Sequence, residues 1–399
     1  MLKVVSLTEA QSILNARFGA KRTGTETVSL GEALSRVLAR DIAAREDVPG
    51  FDRSSVDGYA VRAEDTFGCS ESIPALLGSV GEIKMGEKPA LEIKSGECAY
   101  IPTGGELPRG ANAAVMIEFC EDFNGLVSVQ KPSAPGQHLV FRGDDVRAGE
   151  IVLGAGTTIT PEHIGALAAL GAARLEVAKR PRVFVISTGD EIVSPEAELE
   201  GALIRDVNGP MLEACAKSCG CEVIGRQIIR DDRALIKAAI AAAARESDIV
   251  LLSGGSSAGA RDEAADIISE LGELLFHGIA VKPGKPTLAG DLGSVPVLGL
   301  PGHPVAARFI FELLARPLLL GFVGAQRQPR FLSAALETAL SSNHGREEYI
   351  PVKLEGDRAK PIIGKSGLIT TLAAADGYIK TDRDREGFAK GESVEVCLF

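Results

Sequence analysis

The sequence predicts a multi-domain α/β protein built around a central domain with a parallel sheet. Apolar segments that read as strands alternate with helical segments over residues 181–324, which is typical of a parallel sheet covered by helices on both faces. Short strands interrupted by Gly and Pro fill residues 49–145, and the same texture returns from residue 325 onward. With 399 residues, of which 45% are hydrophobic, the chain can bury the cores of several domains.

These patterns divide the chain into four predicted domains. They are a helical and mixed N-terminal domain (1–48 plus 146–178), an inserted β-rich domain (49–145), the α/β domain (179–324) and a C-terminal β-barrel-like domain (325–399).

The N-terminal domain is predicted from three helices. Ser6 and Ser29 are each followed three residues later by a glutamate, which gives capping boxes before "LTEAQSILNARF" and "LGEALSRVLARDI". The third helix, in "TPEHIGALAALGAARL", has Thr160 as its N-cap and Pro161 as its first residue. We expect the three helices to pack together and to close one domain around the insertion.

Composition and charge exclude several classes of function. The formal net charge of −11 disfavours an extended contact surface for nucleic acid, which needs a basic patch. The chain has no run of about 18 apolar residues that would span a membrane, and "MLKVVSLTEAQ" lacks the pattern of a secretory signal. We therefore expect a cytoplasmic protein with neither nucleic-acid nor membrane partners.

The cysteines are interpreted as structural residues. They are seven in number and scattered, which does not favour a disulfide framework. The densest group is "CAKSCGC", in which Cys215 and Cys219 fall on a predicted helix, Gly220 follows as its C-cap and Cys221 opens the next strand. The group lacks a fourth metal ligand at a familiar spacing.

Candidate ligand-binding residues follow the strands of the α/β domain, because open α/β sheets bind ligands beyond the carboxyl ends of their strands. "STGDEIV" follows "RVFVI", "SGGSSAGARDE" follows "DIVLL", and "PGHPV" follows "VPVLGL". The segment "AVKPGKPTLAG" lies close to the same region.

Two of these loops have the composition of an anion site. Gly254, Gly255 and Ser256 can present backbone N–H and hydroxyl donors before a helix N-terminus, which suits a phosphate. Lys282 and Lys285 stand beside prolines on a stiff loop, which suits a polyanion. An ordinary strand-to-helix turn and a solvated turn with surface lysines remain open alternatives.

Carboxylates at the same rim indicate a cation. Asp190, Glu191 and Asp262 would repel a bound phosphate unless Mg²⁺ lay between them, so this combination predicts a metal-assisted reaction on an anhydride. His303 is either a general base or a polar residue at a helix start.

Asp57 in "PGFDRSSVDGYAVRAED" raises a separate question, because it is a carboxylate within a turn of small residues. By itself it is interpreted as a local turn residue whose side chain bonds to the backbone.

Seven motifs, taken in order and spacing, are similar to those of the molybdopterin molybdenumtransferase (molybdenum insertase) family, to which the E domain of gephyrin is related. They are "SSVDGYAVRAED", "IPTGGELPRGAN", "RGDDVRAGE", "STGDEIV", "SGGSSAGARD", "AVKPGKP" and "LPGHPV", and with the C-terminal domain the resemblance covers essentially the whole chain. The resemblance implies insertion of molybdate into adenylylated molybdopterin, with Mg²⁺-dependent cleavage of the adenylate and release of AMP. It also implies a homodimer whose active site is shared between the α/β domain of one subunit and the inserted domain of the other. A molybdopterin adenylyltransferase would be the upstream donor.

The resemblance assigns roles residue by residue. It implies catalytic roles for Asp57, Asp145, Glu191 and Asp262, of which Asp57, Asp145 and Glu191 would hold the metal. It implies contacts to the cofactor and the oxyanion for Thr103, Asp190, Gly254, Gly255, Ser256, Lys282, Lys285, Pro301, Pro304, Arg346 and Ser366. The chain departs from the family in "GGSS" for "GGVS", in His303 for Asn and in Val56 for Met, which leaves molybdate and tungstate both open as the oxyanion.

Three other functions fit parts of the sequence less well. An adenylyltransferase acting on molybdopterin would be a single compact domain, and a hydrolase of nicotinamide nucleotides or pyrophosphate would explain the "GGSS" loop but not the insertion. A non-catalytic scaffold like gephyrin would not need the carboxylates and lysines of the site.

Overall fold

The computed structural model describes residues 4–254, 258–326, 328–342, 345–364, 367 and 369–399, and gives no side-chain detail for 258–262. Gly255, Ser256 and Ser366 therefore lie outside the described residues, as does the side chain of Asp262.

Helices lie mainly in the α/β domain. The α-helices are Leu7–Phe18, Pro161–Ala169, Asn208–Ser218, Arg233–Glu246, Ala258–Leu271, Pro304–Ile310, Arg316–Phe322 and Thr370–Ala373. A π-helical segment, Phe311–Ala315, joins two of them into one continuous helix over 304–322, and 3₁₀ turns occur at Leu30–Glu32, Ala63–Thr66 and Ile117–Phe119. In the part of the chain that the structure describes, no helix is long and apolar enough to cross a membrane.

The central sheet of the α/β domain has six strands. In spatial order they are Glu222–Ile229, Arg182–Thr188, Ile249–Gly254, Pro296–Leu300, Leu288–Asp291 and Glu273–His277. The first four are parallel, as predicted, and the last two extend the sheet as an antiparallel edge. Successive residues of one strand enter opposite cores, with Leu251 on one face and Val250 and Leu252 on the other. Helices cover both faces, which confirms the predicted fold class.

The first helix packs on the α/β domain. Leu7, Leu14 and Phe18 of the helix Leu7–Phe18 are buried in the same core as the central sheet, and Ser6 forms the predicted capping box. The helix Pro161–Ala169 instead contributes Leu167 to a separate core. The expected packing of the three N-terminal helices together is therefore wrong.

The second predicted helix is also wrong. Glu32 does bond back to Ser29, but only the single 3₁₀ turn Leu30–Glu32 forms. Ser35 then adopts a positive φ of 62°, which stops a helix. Val37 and Leu38 form bridges to Thr158 and Val177 instead, so pairing in the tertiary structure overrides the local helical pattern.

Short two-stranded ribbons complete the N-terminal domain and the edge of the α/β domain. They pair Thr25–Ser29 with Arg174–Ala178, Ile42–Ala43 with Ile151–Leu153, and Ile192–Val193 with Ile204–Arg205.

The inserted domain is a β domain, as predicted. Its six-stranded sheet has the spatial order Ala113–Met116, Gly58–Val61, Glu97–Ile101, Ala75–Glu82, Leu126–Val129 and Cys120–Asp122. A ribbon of Arg53–Ser54 with Leu139–Val140 lies beside it. These two segments lie near the start and near the end of the insertion, so the ribbon brings together the chain as it leaves the first domain and as it returns.

The C-terminal domain is a closed barrel. Its strands run in the order Glu347–Glu355, Arg358–Pro361, Phe331–Leu336, Ser393–Leu398 and Gly377–Thr381, and the last also pairs with the first. A ribbon of Leu340–Ser341 with Gly387–Phe388 flanks it. The short strand Val281–Lys282, which comes from the α/β part of the sequence, joins the barrel by pairing with Glu347 and Glu348.

The cysteine group occupies the predicted positions. Cys215 lies in the helix Asn208–Ser218, Cys219 is its C-cap and Cys221 is buried immediately before the next strand. Cys215, Cys219 and Cys221 are free thiols. Burial raises the pKa of the Cys221 thiol, which keeps it protonated and unreactive.

Candidate functional site

Two cavities meet at the carboxyl ends of the central strands. The first, which we call the lysine cleft, has a volume of about 710 Å³ and is lined by Lys282, Lys285 and Arg346 among others. The second, which we call the acid pocket, has a volume of about 540 Å³ and is lined by Glu191 and Asp206 among others. Gly302 and His303 line both cavities, so ligands bound in the two would be neighbours.

The lysine cleft lies between the α/β domain and the barrel. Lys282 ends the short strand Val281–Lys282, Lys285 lies in the loop that follows it, and Arg346 comes from the segment that leads into the barrel strand Glu347–Glu355. Lys282 Nζ lies 2.7 Å from Glu348 Oε1, so this lysine has an internal partner. The predicted grouping of both lysines with Arg346 in one cavity is therefore found, in a form suited to a polyanion.

The loop "PGHP" shapes the wall shared by the cavities. Pro301 is buried at the end of its strand and lines the lysine cleft, whereas Pro304 begins the next helix and lines the acid pocket. His303 is the N-cap residue of that helix, in agreement with the interpretation as a residue at a helix start. Gly284 packs so closely on this helix that a Cβ there would lie 2.6 Å from Ile310 Cδ1.

Gly254 is required by backbone geometry. It ends its strand with a φ of 147°, and a Cβ at this position would lie 2.2 Å from Thr188 Oγ1. Gly254 and Thr188 both line the acid pocket. Of the predicted phosphate cradle (Gly254, Gly255 and Ser256), the structure describes Gly254, and this residue lies at the acid pocket.

The floor of the acid pocket contains a polar network that the sequence analysis missed. Asp206 is buried and accepts hydrogen bonds from Ser187 Oγ and Gly209 N, each at 2.9 Å. Asn208 Nδ2 donates to Ser253 Oγ and to the Gly302 carbonyl, each at 2.8 Å. The amide orientation is fixed because a carbonyl only accepts.

Asn208 leaves one polar atom for a ligand. Its Oδ1 is buried without a partner among the described residues, although Asn208 lines the acid pocket. Buried polar atoms are normally bonded, so such an atom beside a cavity favours a bound donor. The sequence signal that could have identified this network is "RDVNG", in which Asp206 follows a short strand and Asn208 begins a helix.

Carboxylates cluster beside the acid pocket: Glu191 lines it, and Asp231 lines a smaller cavity that shares Thr188 and Gly254 with it. Burial first, and then the charges of Asp190, Glu191 and Glu263, raise the pKa of Asp231, another residue that the sequence analysis did not identify. Asp190 Oδ1 accepts from Asp231 N at 3.2 Å. Such mutual repulsion is relieved by a cation, and Mg²⁺ is usually held by one or two carboxylates together with substrate oxygens. The donor set therefore fits Mg²⁺.

Asp57 and Thr103 are brought together in the inserted domain. Thr103 N donates to Asp57 Oδ1 at 2.7 Å, and Ile117 N donates to the Asp57 carbonyl at 2.9 Å. The next residue, Gly58, must be a glycine because a Cβ there would lie 1.8 Å from the Val115 carbonyl oxygen. Asp57 thus makes the backbone bond of a turn residue, and its exposed carboxylate keeps further acceptor sites.

Asp145 is exposed at the other end of the insertion, with its N–H bonded to the Val48 carbonyl at 3.1 Å. Among the described residues, neither Asp57 nor Asp145 lines the lysine cleft or the acid pocket. The described part of the chain also contains no group of three residues that could hold a metal ion. The predicted set of Asp57, Asp145 and Glu191 is therefore not assembled within one chain.

Comparisons with known proteins match the whole length of the chain. Residues 5–171 match the family "MoeA N-terminal region (domain I and II)", residues 184–321 match "Probable molybdopterin binding domain", and residues 333–399 match "MoeA C-terminal region (domain IV)". The chain is 34% identical over 383 residues to molybdopterin molybdenumtransferase 2 of Mycobacterium tuberculosis, covering 93% of this chain and 94% of that protein.

Solved structures agree with the sequence matches. A molybdopterin biosynthesis MoeA protein from Pyrococcus horikoshii superposes with a TM-score of 0.86 at 40% identity, covering 99% of each chain. A second structure of a MoeA protein from Pyrococcus horikoshii OT3 gives a TM-score of 0.89 at 35% identity over 100% of each chain. The chain belongs to the MoeA family of molybdopterin molybdenumtransferases.

Proposed function

We propose that this protein acts in molybdenum cofactor biosynthesis as a molybdopterin molybdenumtransferase, which inserts molybdate into adenylylated molybdopterin and releases AMP. The observation that carries the proposal is the junction of the lysine cleft with the acid pocket at Gly302 and His303. A tetrahedral dianion and a phosphoanhydride repel each other. The cations of the lysine cleft, and Mg²⁺ held by carboxylates beside the acid pocket, would offset this repulsion and hold both at reacting distance.

The chain's own residues divide the work between the cavities. Lys282, Lys285 and Arg346 neutralise the oxyanion, and their attachment to strands and short loops orients it. Gly254 and Asn208 offer close backbone approach and an unsatisfied amide oxygen to the adenylylated substrate. Water attacks one phosphorus of the anhydride as the bridging P–O bond breaks, so AMP leaves with its phosphate and molybdopterin keeps its own. Two sulfur–molybdenum bonds form as one molybdate oxygen leaves as water, with its two protons taken from the dithiolene thiols.

Mg²⁺ would be held on this chain by Glu191 together with Asp190, whose charges both act on Asp231 beside the acid pocket. When bound, it supplies charge neutralisation of the phosphate oxygens. Asp262, Gly255, Ser256 and Ser366 remain predictions from the resemblance, as do their roles in the adenylate site.

The second part of the proposal is a homodimer with shared sites. Asp57 and Asp145 are exposed and lie outside both cavities of their own chain, which supports a role opposite a partner's α/β domain. Asp57 would then complete the metal or oxyanion site in trans. The adenylylated substrate would come from a separate molybdopterin adenylyltransferase.

The test measures AMP release from adenylylated molybdopterin with Mg²⁺ present, titrated separately with molybdate and tungstate. We expect oxyanion-dependent release, with molybdate half-saturating at the lower concentration, and loss of release in Lys285→Gln. Lys360→Gln is the matched control because Lys360 pairs with Glu337 on the barrel, away from the cleft. Binding of the adenylate without release would favour a scaffold instead.

Mixed dimers test the shared site. Asp57→Asn and Lys285→Gln subunits are each expected to be inactive as homodimers, but a mixed dimer contains one site with both native residues. Random reassortment should therefore restore about a quarter of the wild-type rate. No recovery, from mixtures shown to exchange subunits, would contradict a site shared across the dimer.

A further inference from the structure

We infer that Glu348 is a built-in counter-ion of the lysine cleft, which competes with the incoming oxyanion for Lys282 and keeps it from binding too tightly for transfer. The inference rests on the proposed function, because it concerns the oxyanion of that same site. Among the described residues that line the cleft, Glu348 is the only carboxylate, opposite the cations Lys282, Lys285 and Arg346.

The carboxylate is held in place from both sides. Lys282 Nζ contacts Oε1 at 2.7 Å, and Ser342 Oγ donates to Oε2 at 2.9 Å. Its side chain is 14% exposed, whereas that of Lys282 is 47% exposed. Glu348 is thus fixed, and the lysine is the partner that can turn toward a ligand.

Backbone pairing sets this contact. The strand Val281–Lys282 pairs in parallel with the barrel strand Glu347–Glu355, and the register places Lys282 directly opposite Glu348. Side chains of directly paired residues on one face of a sheet are close neighbours. The contact is therefore a consequence of how the barrel is joined to the α/β domain, rather than a chance meeting of two flexible surface side chains.

A resident carboxylate weakens anion binding in a useful way. Three cations facing one dianion would stabilise the bound oxyanion before it reacts. Binding energy that is present in this ground state but lost on transfer does not accelerate the reaction. Glu348 reduces the positive charge that the oxyanion meets, and it offers Lys282 a partner when the oxyanion leaves. We therefore assign Glu348 as a positioning and affinity-setting residue.

The test is equilibrium binding of molybdate, tungstate and sulfate to the full-length protein, followed by steady-state AMP release. Glu348→Gln keeps the length of the side chain and an oxygen for Ser342, but removes the charge. Loss of one negative charge a few ångströms from a dianion should tighten binding about tenfold. The KM for the oxyanion should fall by a similar factor while kcat does not rise with it.

Glu355→Gln is the matched control. Glu355 lies on the same barrel strand and its carboxylate lies 3.7 Å from Lys353, but it does not line the cleft, so oxyanion binding should not change. Glu348→Asp is a second variant, which keeps the negative charge but holds it farther from Lys282. Its affinity for the oxyanion should lie between those of wild type and Glu348→Gln.

The outcomes separate the two proposals. Wild-type protein that binds none of the three oxyanions would overturn both the proposed function and this inference. Wild-type binding with no gain in Glu348→Gln, or in Glu348→Asp should the first variant not fold, would overturn the inference alone. A gain that appears equally in Glu355→Gln would also overturn it, because the effect would then reflect only net charge.

Discussion

The helix that begins at the shared wall of the two cavities is stabilised by a buried carboxylate, and its removal should be costly. Glu312 has a side chain with 0% exposure in the π-helical segment, where it contacts Arg308 Nη1 at 2.6 Å and Arg316 Nη1 at 2.7 Å. Glu312→Gln retains the shape of the side chain but places an amide NH₂ against a guanidinium. Breaking a buried ion pair by removing one partner costs about 3–5 kcal/mol.

The lower end of that range applies, because the two arginines are 15% and 22% exposed and keep some hydration. A loss of about 3 kcal/mol should lower the melting temperature of the α/β domain by about 6–12 °C. Glu213→Gln is the matched control: Glu213 pairs with Lys217 at 2.7 Å and with Arg226 at 3.7 Å, and these two partners are 60% and 32% exposed. Exposed pairs of this kind should contribute about 0.5 kcal/mol each.

The assay is differential scanning calorimetry of both variants beside wild type, with circular dichroism to confirm the fold. Burial alone would raise the pKa of Glu312, but the charges of Arg308 and Arg316 outweigh it and the pKa is lowered. The stabilisation is therefore present above the unfolded pKa of about 4.3 and is lost as the pH falls through the lower folded value. The difference between wild type and Glu312→Gln should shrink below about pH 4. Equal, small shifts for both variants at pH 7 would refute the reasoning.

Two further predictions concern the site itself. Asp57→Asn should remain folded, because the amide oxygen can still accept from Thr103 N, but it should lose at least about a hundredfold of the rate of AMP release; an unchanged rate would contradict a role in the site. Gly254→Ala should lose about 2 kcal/mol or more of stability, because its Cβ would meet Thr188 at 2.2 Å. Gly302→Ala is its control, since the nearest atom there lies at 3.9 Å, and equal thermal shifts in the two variants would contradict the steric argument.

The elements that were predictable from sequence are those with strong local signals. Thr160 caps the predicted third helix, which begins at Pro161, and the alternation of apolar strands with helices gave the central sheet. The second helix failed although its capping residues do bond, because Leu38 gains more from pairing with Val177 than a helix would offer. Local sequence does not contain the competing partner, which is 139 residues away by numbering (177 − 38).

The residues of the site also separate into those that local sequence predicts and those that it does not. Lys282, Lys285 and Gly254 lie at or just after the ends of strands, where topology alone locates a ligand, and all three line the cavities. Asp231 and Asn208 went unnoticed because their importance depends on burial and on contacts with residues distant in sequence. No short motif reveals that an amide oxygen will be left without a partner.

The lysine cleft lies between the α/β domain and the barrel, so the charge inside it depends on how the barrel folds. Among the described residues of the α/β segment, Val281 and Lys282 are the two that join the barrel sheet, and their register fixes which acid faces Lys282. A one-residue slip of this pairing would place Glu347 or Tyr349, rather than Glu348, opposite Lys282 and break the contact between Lys282 and Glu348. Substitutions that loosen the barrel should therefore alter oxyanion affinity even where they touch neither Lys282 nor Glu348, because the charge in the cleft is set by strand register.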